Sequence, residues 1–179
     1  ISQLKDNDGN VISEQEKVRG EIQRYYTKLY EKNCNDSGAN VQREFLECVE
    51  KKLTDEEREN CEGYITRSEL HEALKQTGNN KAPGIDGISA DFYKVFWNDI
   101  ADHLVEVLNY SYDQRTLSSN QRLGVISLIL KKDKDTEYIK NWRPITLLCT
   151  DYKLASKVIA NRIKKYLPKL INADQCGFV

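Results

Sequence analysis

The stretch RLGVISLILKKDKDTEYIKNWRPITLL, Arg122 to Leu148, decides the fold, because it alone reads as two strands joined by a polar turn. Val125 to Leu130 is a short apolar run rich in β-branched residues, too short for a typical helix and closed by a charge cluster. This pattern predicts a strand buried on both faces. The second run, Trp142 to Leu148, contains Pro144, which fixes φ and lacks a ladder donor, so this strand is an edge or begins at Ile145. KKDKDTEYIKN separates the two.

If the runs pair, Lys131 and Lys132 leave the end of the first strand while Arg143 stands at the start of the second, and the three cations meet at the mouth of the hairpin. A planar guanidinium suits bidentate phosphate contact, and an ammonium is a mobile point charge. The pattern fits either a ligand bearing phosphate or an ordinary solvated loop.

Composition narrows the choice of partner. The formal charge is −1, yet Arg122 to Leu170 holds 12 lysines and arginines against 4 acidic residues, which suggests a local surface for a polyanion. No apolar run approaches membrane-spanning length, and Ile1 to Gly20 is too charged for a signal peptide, so a soluble intracellular protein is expected. Five cysteines, Cys34, Cys48, Cys61, Cys149 and Cys176, show no Cys-x-x-Cys spacing, and neither His71 nor His103 has a partner at ligand spacing. Free thiols and no metal site are expected. With no methionine and Ile1 at its start, the sequence reads as a fragment.

Along the chain, Asp8-Gly9 favours a hairpin within the first twelve residues. Ser13 to Glu16 reads as a capping box before an amphipathic helix with Val18, Ile22, Tyr25, Tyr26 and Leu29 on one face. Asn33 to Asn40 is the best linker candidate, and a modest helix follows from Val41 to Lys51. Thr54 to Glu57 and Thr66 to Glu69 announce two more capped helices, the second stopped by Gly78. Lys81 to Ile88 is a turn-rich loop whose lysine and glycines suit either a phosphate backbone or a plain connection. Ser89 to Tyr112 predicts one long helix with Phe92, Phe96, Ile100, Leu104, Val107 and Leu108 inward. A last helix, capped by Thr150 or Asp151 and ended by Pro168, turns Ala155, Val158, Ile159, Ile163 and Tyr166 inward. Its outward stripe of Lys153, Lys157 and Lys164, with Arg162, Lys165 and Lys169 nearby, suits a nucleic-acid backbone.

Three segments together, KAPGIDGISADFYK (Lys81 to Lys94), LILKKDKDTEYIKNWRPITLL (Leu128 to Leu148) and DYKLASKVIANRIKKYLPKLINADQCGFV (Asp151 to Val179), resemble one family in order and spacing. They look like the amino-terminal part of the reverse transcriptase of non-LTR retrotransposons, the long interspersed element type. GNVISEQEKVRGEIQRYYTKLYEKN (Gly9 to Asn33) also resembles the stretch between endonuclease and polymerase in those polyproteins.

The resemblance implies an α+β, helix-rich fold: the fingers of a right-hand polymerase, with an antiparallel strand pair at about 124–130 and 142–148 packed on helices. Residues 1–53 would be an extension following an endonuclease, and 54–179 the fingers and the start of the palm. Lys131 and Arg143 would contact the triphosphate of the incoming nucleotide. Leu130 replaces the usual proline, so Lys132 is a second candidate for that role. The loop Lys81 to Ile88 would lie near the template, and Lys153, Lys157 and Lys164 remain the candidates read from the helix stripe for nucleic-acid contact. The resemblance places the catalytic carboxylates beyond Val179, so no catalytic residue is expected here, and Mg²⁺ belongs to the full-length polymerase. RNA template, DNA primer and deoxynucleoside triphosphates are the implied partners, with no membrane, in cytoplasm and nucleus. The fragment alone would be inactive. The alternatives are a nucleic-acid-binding remnant without chemistry and a helical module whose acidic N-terminal half docks a protein.

Overall fold

The computed structural model describes residues 1–6, 8–31, 38–47, 50–172 and 175, with the backbone alone at 38–40. Cys34, Cys48, Cys176 and most of the expected linker lie outside the described residues. The elements run β1 (Leu4–Lys5), β2 (Val11–Ile12), α1 (Gln15–Tyr30), α2 (Gly38–Glu47), α3 (Asp55–Cys61), α4 (Arg67–Lys75), α5 (Ala90–Val95), α6 (Trp97–Asp113), β3 (Val125–Leu130), β4 (Trp142–Leu147), α7 (Thr150–Lys164) and α8 (Leu167–Leu170), with a 3₁₀ turn at Ile139–Asn141 before β4. The fold is helix-rich α+β with two small hairpins. The chain divides into two compact units, Ile1–Glu47 with Ile126–Ile145, and Cys48–Val125 with Thr146–Val179.

In the first unit, β1 and β2 pair antiparallel with Leu4 opposite Ile12 and Lys5 opposite Val11. The Asp6 carboxylate closes their turn by accepting from the Asp8 and Asn10 amides at 2.9 and 2.8 Å, and Gly9 takes the positive φ of 87° that the tight turn requires. On α1 the three-and-four spacing buries Val18 and Tyr26 against Leu4 and Ile139, with Ile22, Tyr25, Leu128 and Trp142 packed around them. The aromatic stripe is core, although Leu29 lies outside it, exposed. The Ser13 box does not form: Glu14 is the N-cap and no side chain caps the helix.

The β3 strand departs from expectation. Val125, Ile126 and Ile129 are exposed, so the strand is not buried on both faces. A two-stranded ribbon has one face to pack, and here Leu128 and Trp142 use it.

In the second unit both threonine boxes form, Thr54 with Glu57 and Thr66 with Glu69. Gly78 does not supply the left-handed residue after α4; Asn80 does, at φ 55°. The expected long helix is two, broken at Phe96 (φ −98°, ψ 18°). Ala90, Tyr93, Trp97, Ala101 and Leu108 are buried against Leu70, Ala73 and Leu74 of α4 and Leu154 and Val158 of α7. Phe92, Phe96 and Val107 are exposed, with the two phenylalanine rings 4.8 Å apart. Two apolar stripes compete on this helix pair: the buried one combines Ala90 and Ala101 with the large Tyr93 and Trp97, and Ile100 and Leu104 of the other pack partly against the same core. His71 stacks on Trp97 with centroids 5.1 Å apart.

On α7 the inward set is Leu154, Val158 and Arg162; Ile159 and Ile163 are exposed. Cys149 is its N-cap, without a side-chain bond, and Pro168 opens α8 rather than ending α7.

Candidate nucleotide and nucleic-acid interface

The hairpin loop between β3 and β4 is ordered by its own polar groups. Asn141 Nδ2 donates to the Asp135 carbonyl at 2.9 Å, and Trp142 Nε1 to the Thr136 carbonyl at 3.0 Å. Of its three acidic residues, Asp135 accepts from the Glu137 amide at 2.9 Å, and Glu137 is engaged by Gln3 at 2.6 Å and by Lys5 at 2.5 Å. That bond holds the Lys5 ammonium above its usual range, and Lys5 and Lys140 each stand 5.3 Å from the Tyr138 ring.

The Lys131 amide donates to the Asn141 carbonyl at 2.8 Å. An antiparallel ladder carried on from that bond sets Ile129 opposite Arg143, and alternate residues share a face, so Lys131 and Arg143 fall on one face, diagonal to each other. It is the exposed face, with Ile145 beside Arg143. Lys131 Nζ donates to the Lys140 carbonyl at 2.7 Å, leaving two of its three donor bonds. Among the described residues no hydrogen bond or ion pair engages the Arg143 guanidinium or the exposed ammonium of Lys132. A guanidinium kept free of carboxylates on an ordered ribbon can take an anion without first breaking a protein contact.

The second unit gathers the other predicted cations. Loop 79–88 lies against the start of α7: Thr150 Oγ1 donates to the Ile88 carbonyl at 2.7 Å and Lys153 Nζ to the Ala82 carbonyl at 3.0 Å. The seat is tight, since a Cβ on Gly84 would fall 2.3 Å from Cys149 N and 2.6 Å from the Leu148 carbonyl carbon. Lys153 thus holds the backbone next to Lys81, while the Lys81 side chain passes Gly78. Lys157 and Lys164 continue the α7 stripe, exposed. Arg162 does not belong to it. Its guanidinium is buried, donating to both Glu69 carboxylate oxygens at 2.6 and 2.8 Å and to the carbonyls of Glu62, Gly63 and Tyr64. This pairing holds the Glu69 carboxyl down at about 2.

Under loop 79–88 the ligand atoms of Asp86, Cys149 and Asp151 lie within 4.8 Å of one another. Their bonds are structural: Asp86 accepts from the Ile88 amide, Asp151 from Gln121 Nε2 at 2.6 Å, and Cys149 Sγ faces the Asn120 carbonyl. Burial pushes the Cys149 thiol and the neighbouring Tyr93 hydroxyl above their usual ranges. A protonated thiol is a poor ligand for Mg²⁺, which takes oxygen donors, so this trio does not suit that ion. Sequence reasoning missed the trio and the Arg162 clamp; only Pro83-Gly84 hinted at the close seat of the loop.

No known protein-family signature matches the chain. It is 32% identical over 180 residues to "Transposon TX1 uncharacterized 149 kDa protein" of Xenopus laevis, covering 98% of this chain and 13% of that protein. It is 28% identical over 116 residues to "Probable RNA-directed DNA polymerase from transposon BS" of Drosophila melanogaster, covering 64% of this chain and 13% of the other. A third relative, "Probable RNA-directed DNA polymerase from transposon X-element" of Drosophila melanogaster, is 32% identical over 95 residues, 53% of this chain and 10% of its own. The chain is a distant, partial homologue of transposon RNA-directed DNA polymerases. It spans 10–13% of the length of these relatives. Among the described residues no helix is long and apolar enough to cross a membrane.

Proposed function

We propose that this homologue is the nucleotide- and template-contacting segment of an RNA-directed DNA polymerase, belonging to its fingers, and that it performs no chemistry alone. The observation that carries the reading is the exposed hairpin face shared by Lys131 and Arg143, whose guanidinium no described carboxylate engages. There the two cations would hold the triphosphate of an incoming deoxynucleotide and offset charge developing on the departing pyrophosphate, with Lys132 beside them. Along the other unit, Lys81, Lys153, Lys157 and Lys164 would follow the phosphates of the RNA template or DNA primer. Mg²⁺ enters this proposal only as the ion of the parent polymerase, which would stabilise the attacking and leaving oxygens there.

The test is Arg143→Ala in a polymerase that carries this segment, assayed on a primed RNA template. The nucleotide kcat/KM is expected to fall about 100-fold while template affinity holds. Unchanged nucleotide kinetics would remove the assignment.

A further inference from the structure

Within the second unit a groove of about 580 Å³ opens between the end of α6 and the exposed side of α7. Its floor is apolar, made in part by Leu108, Ala155 and Ile159. Arg115 and Arg122 stand at its edge with Tyr112. Both arginines are exposed, and among the described residues no hydrogen bond or ion pair reaches either guanidinium. Among the described residues no carboxylate lines the groove. Arg115 is held in the left-handed region at φ 51°, and its amide bonds the Tyr112 carbonyl at 3.1 Å, so the turn that presents it is fixed. Tyr112 is 59% exposed and meets Tyr64 edge-on, with centroids 5.8 Å apart. The Tyr64 hydroxyl is tied to Asp113 at 2.8 Å.

An apolar floor, an aromatic ring held by its neighbour and two free guanidiniums make a place for one flat apolar group flanked by anions. From this we infer that the groove seats a nucleotide of single-stranded nucleic acid, the base on the floor against Tyr112 and the flanking phosphates on Arg115 and Arg122. The inference rests on the nucleic-acid reading above but names a surface separate from the lysine stripe of α7. An acidic peptide with apolar side chains could satisfy the same charges. The nucleotide is favoured because two planar guanidiniums match phosphate geometry and the exposed Tyr112 ring offers a base a stacking surface over the apolar floor.

The experiment is fluorescence anisotropy of the 179-residue chain with a labelled twelve-nucleotide oligouridylate across a salt series. Arg115→Asn keeps a residue that tolerates positive φ, Arg122→Gln keeps the stem, and Tyr112→Ala removes the ring; circular dichroism confirms that each variant folds. The paired arginine variant is expected to bind about tenfold more weakly, with a salt slope smaller by about 1.4, the value for two phosphate contacts on a single strand. Tyr112→Ala is expected to lose about tenfold with uridylate and nothing with an abasic strand of equal length. If the wild type binds while the groove variants bind equally well, and Lys157→Ala alone weakens it, this groove is excluded and the broader reading stands. No binding by the wild type at low salt overturns both. Arginine variants that lose an acidic leucine-rich peptide but keep the oligonucleotide would make the groove a peptide dock and overturn the proposal.

Discussion

Arg162 shows how one side chain can mislead a helical-wheel reading. At the fourth and eighth positions after Leu154, Val158 and Arg162 continue a buried stripe, yet a charged residue beside other lysines reads from sequence as outward. What reverses it is a group 93 residues away, the Glu69 carboxylate, together with three carbonyls at the start of the segment before α4. Arg162→Met keeps the apolar stem and leaves these acceptors without their donor. The expected loss is about 3 kcal/mol at neutral pH, read from the urea midpoint. Because Glu69 titrates at about 2 against an ordinary 4.5, the pair contributes fully above pH 4.5 and is lost as pH falls from there toward 2. The gap in midpoint between wild type and R162M should therefore narrow over that window, the carbonyl bonds of Arg162 remaining; a gap unchanged at pH 3 would contradict the clamp. Gly84 is the second decisive residue. A methyl there would enter the Leu148–Cys149 backbone, so Gly84→Ala should cost about 2 kcal/mol by thermal denaturation and speed amide exchange at Ile88, and a silent substitution would deny the close seat.

At the level of elements, the hairpin was legible because two short apolar runs, the first rich in β-branched residues, flank a polar turn at residues 125–147. Its burial was not legible. A run such as VISLIL reads alike whether one or both faces are covered, and only the partner count of the sheet decides. The two faces should answer differently to the same change. Leu128→Thr, facing Trp142, is expected to cost about 2 kcal/mol, whereas Ile129→Thr on the open face should stay within about 0.5 kcal/mol. Equal losses by chemical denaturation would mean that the faces are misassigned. The pair α5 and α6 teaches the converse: Phe92 and Phe96 drew the eye, but Ala90, Tyr93, Trp97 and Ala101 fit against Leu70, Ala73 and Leu74. Ala90 and Ala101 leave a weak hydrophobic signal in the sequence although they are buried beside Tyr93 and Trp97.

Across the whole molecule, the motifs carried the family further than composition carried the architecture. The basic run from Arg122 to Leu170 suggested a polyanion surface, and two of the relatives are named as probable RNA-directed DNA polymerases of transposons. The joining of 1–47 with 126–145 could not be read, because Leu4, Val18 and Tyr26 meet Leu128, Ile139 and Trp142 across more than a hundred residues with no repeated pattern to announce it. That joining orders the ribbon on which Arg143 stands, for the Tyr26 hydroxyl donates to the Trp142 carbonyl at 3.1 Å, one residue before it. The nucleotide grip is tested most directly by ¹H–¹⁵N correlation spectra of the chain titrated with a deoxynucleoside triphosphate. Saturable shifts at the Arg143 side-chain Nε and at the Lys131 and Lys132 amides are predicted, with none from the unphosphorylated nucleoside. A hairpin whose signals stay still under triphosphate, or move equally with the bare nucleoside, would contradict it.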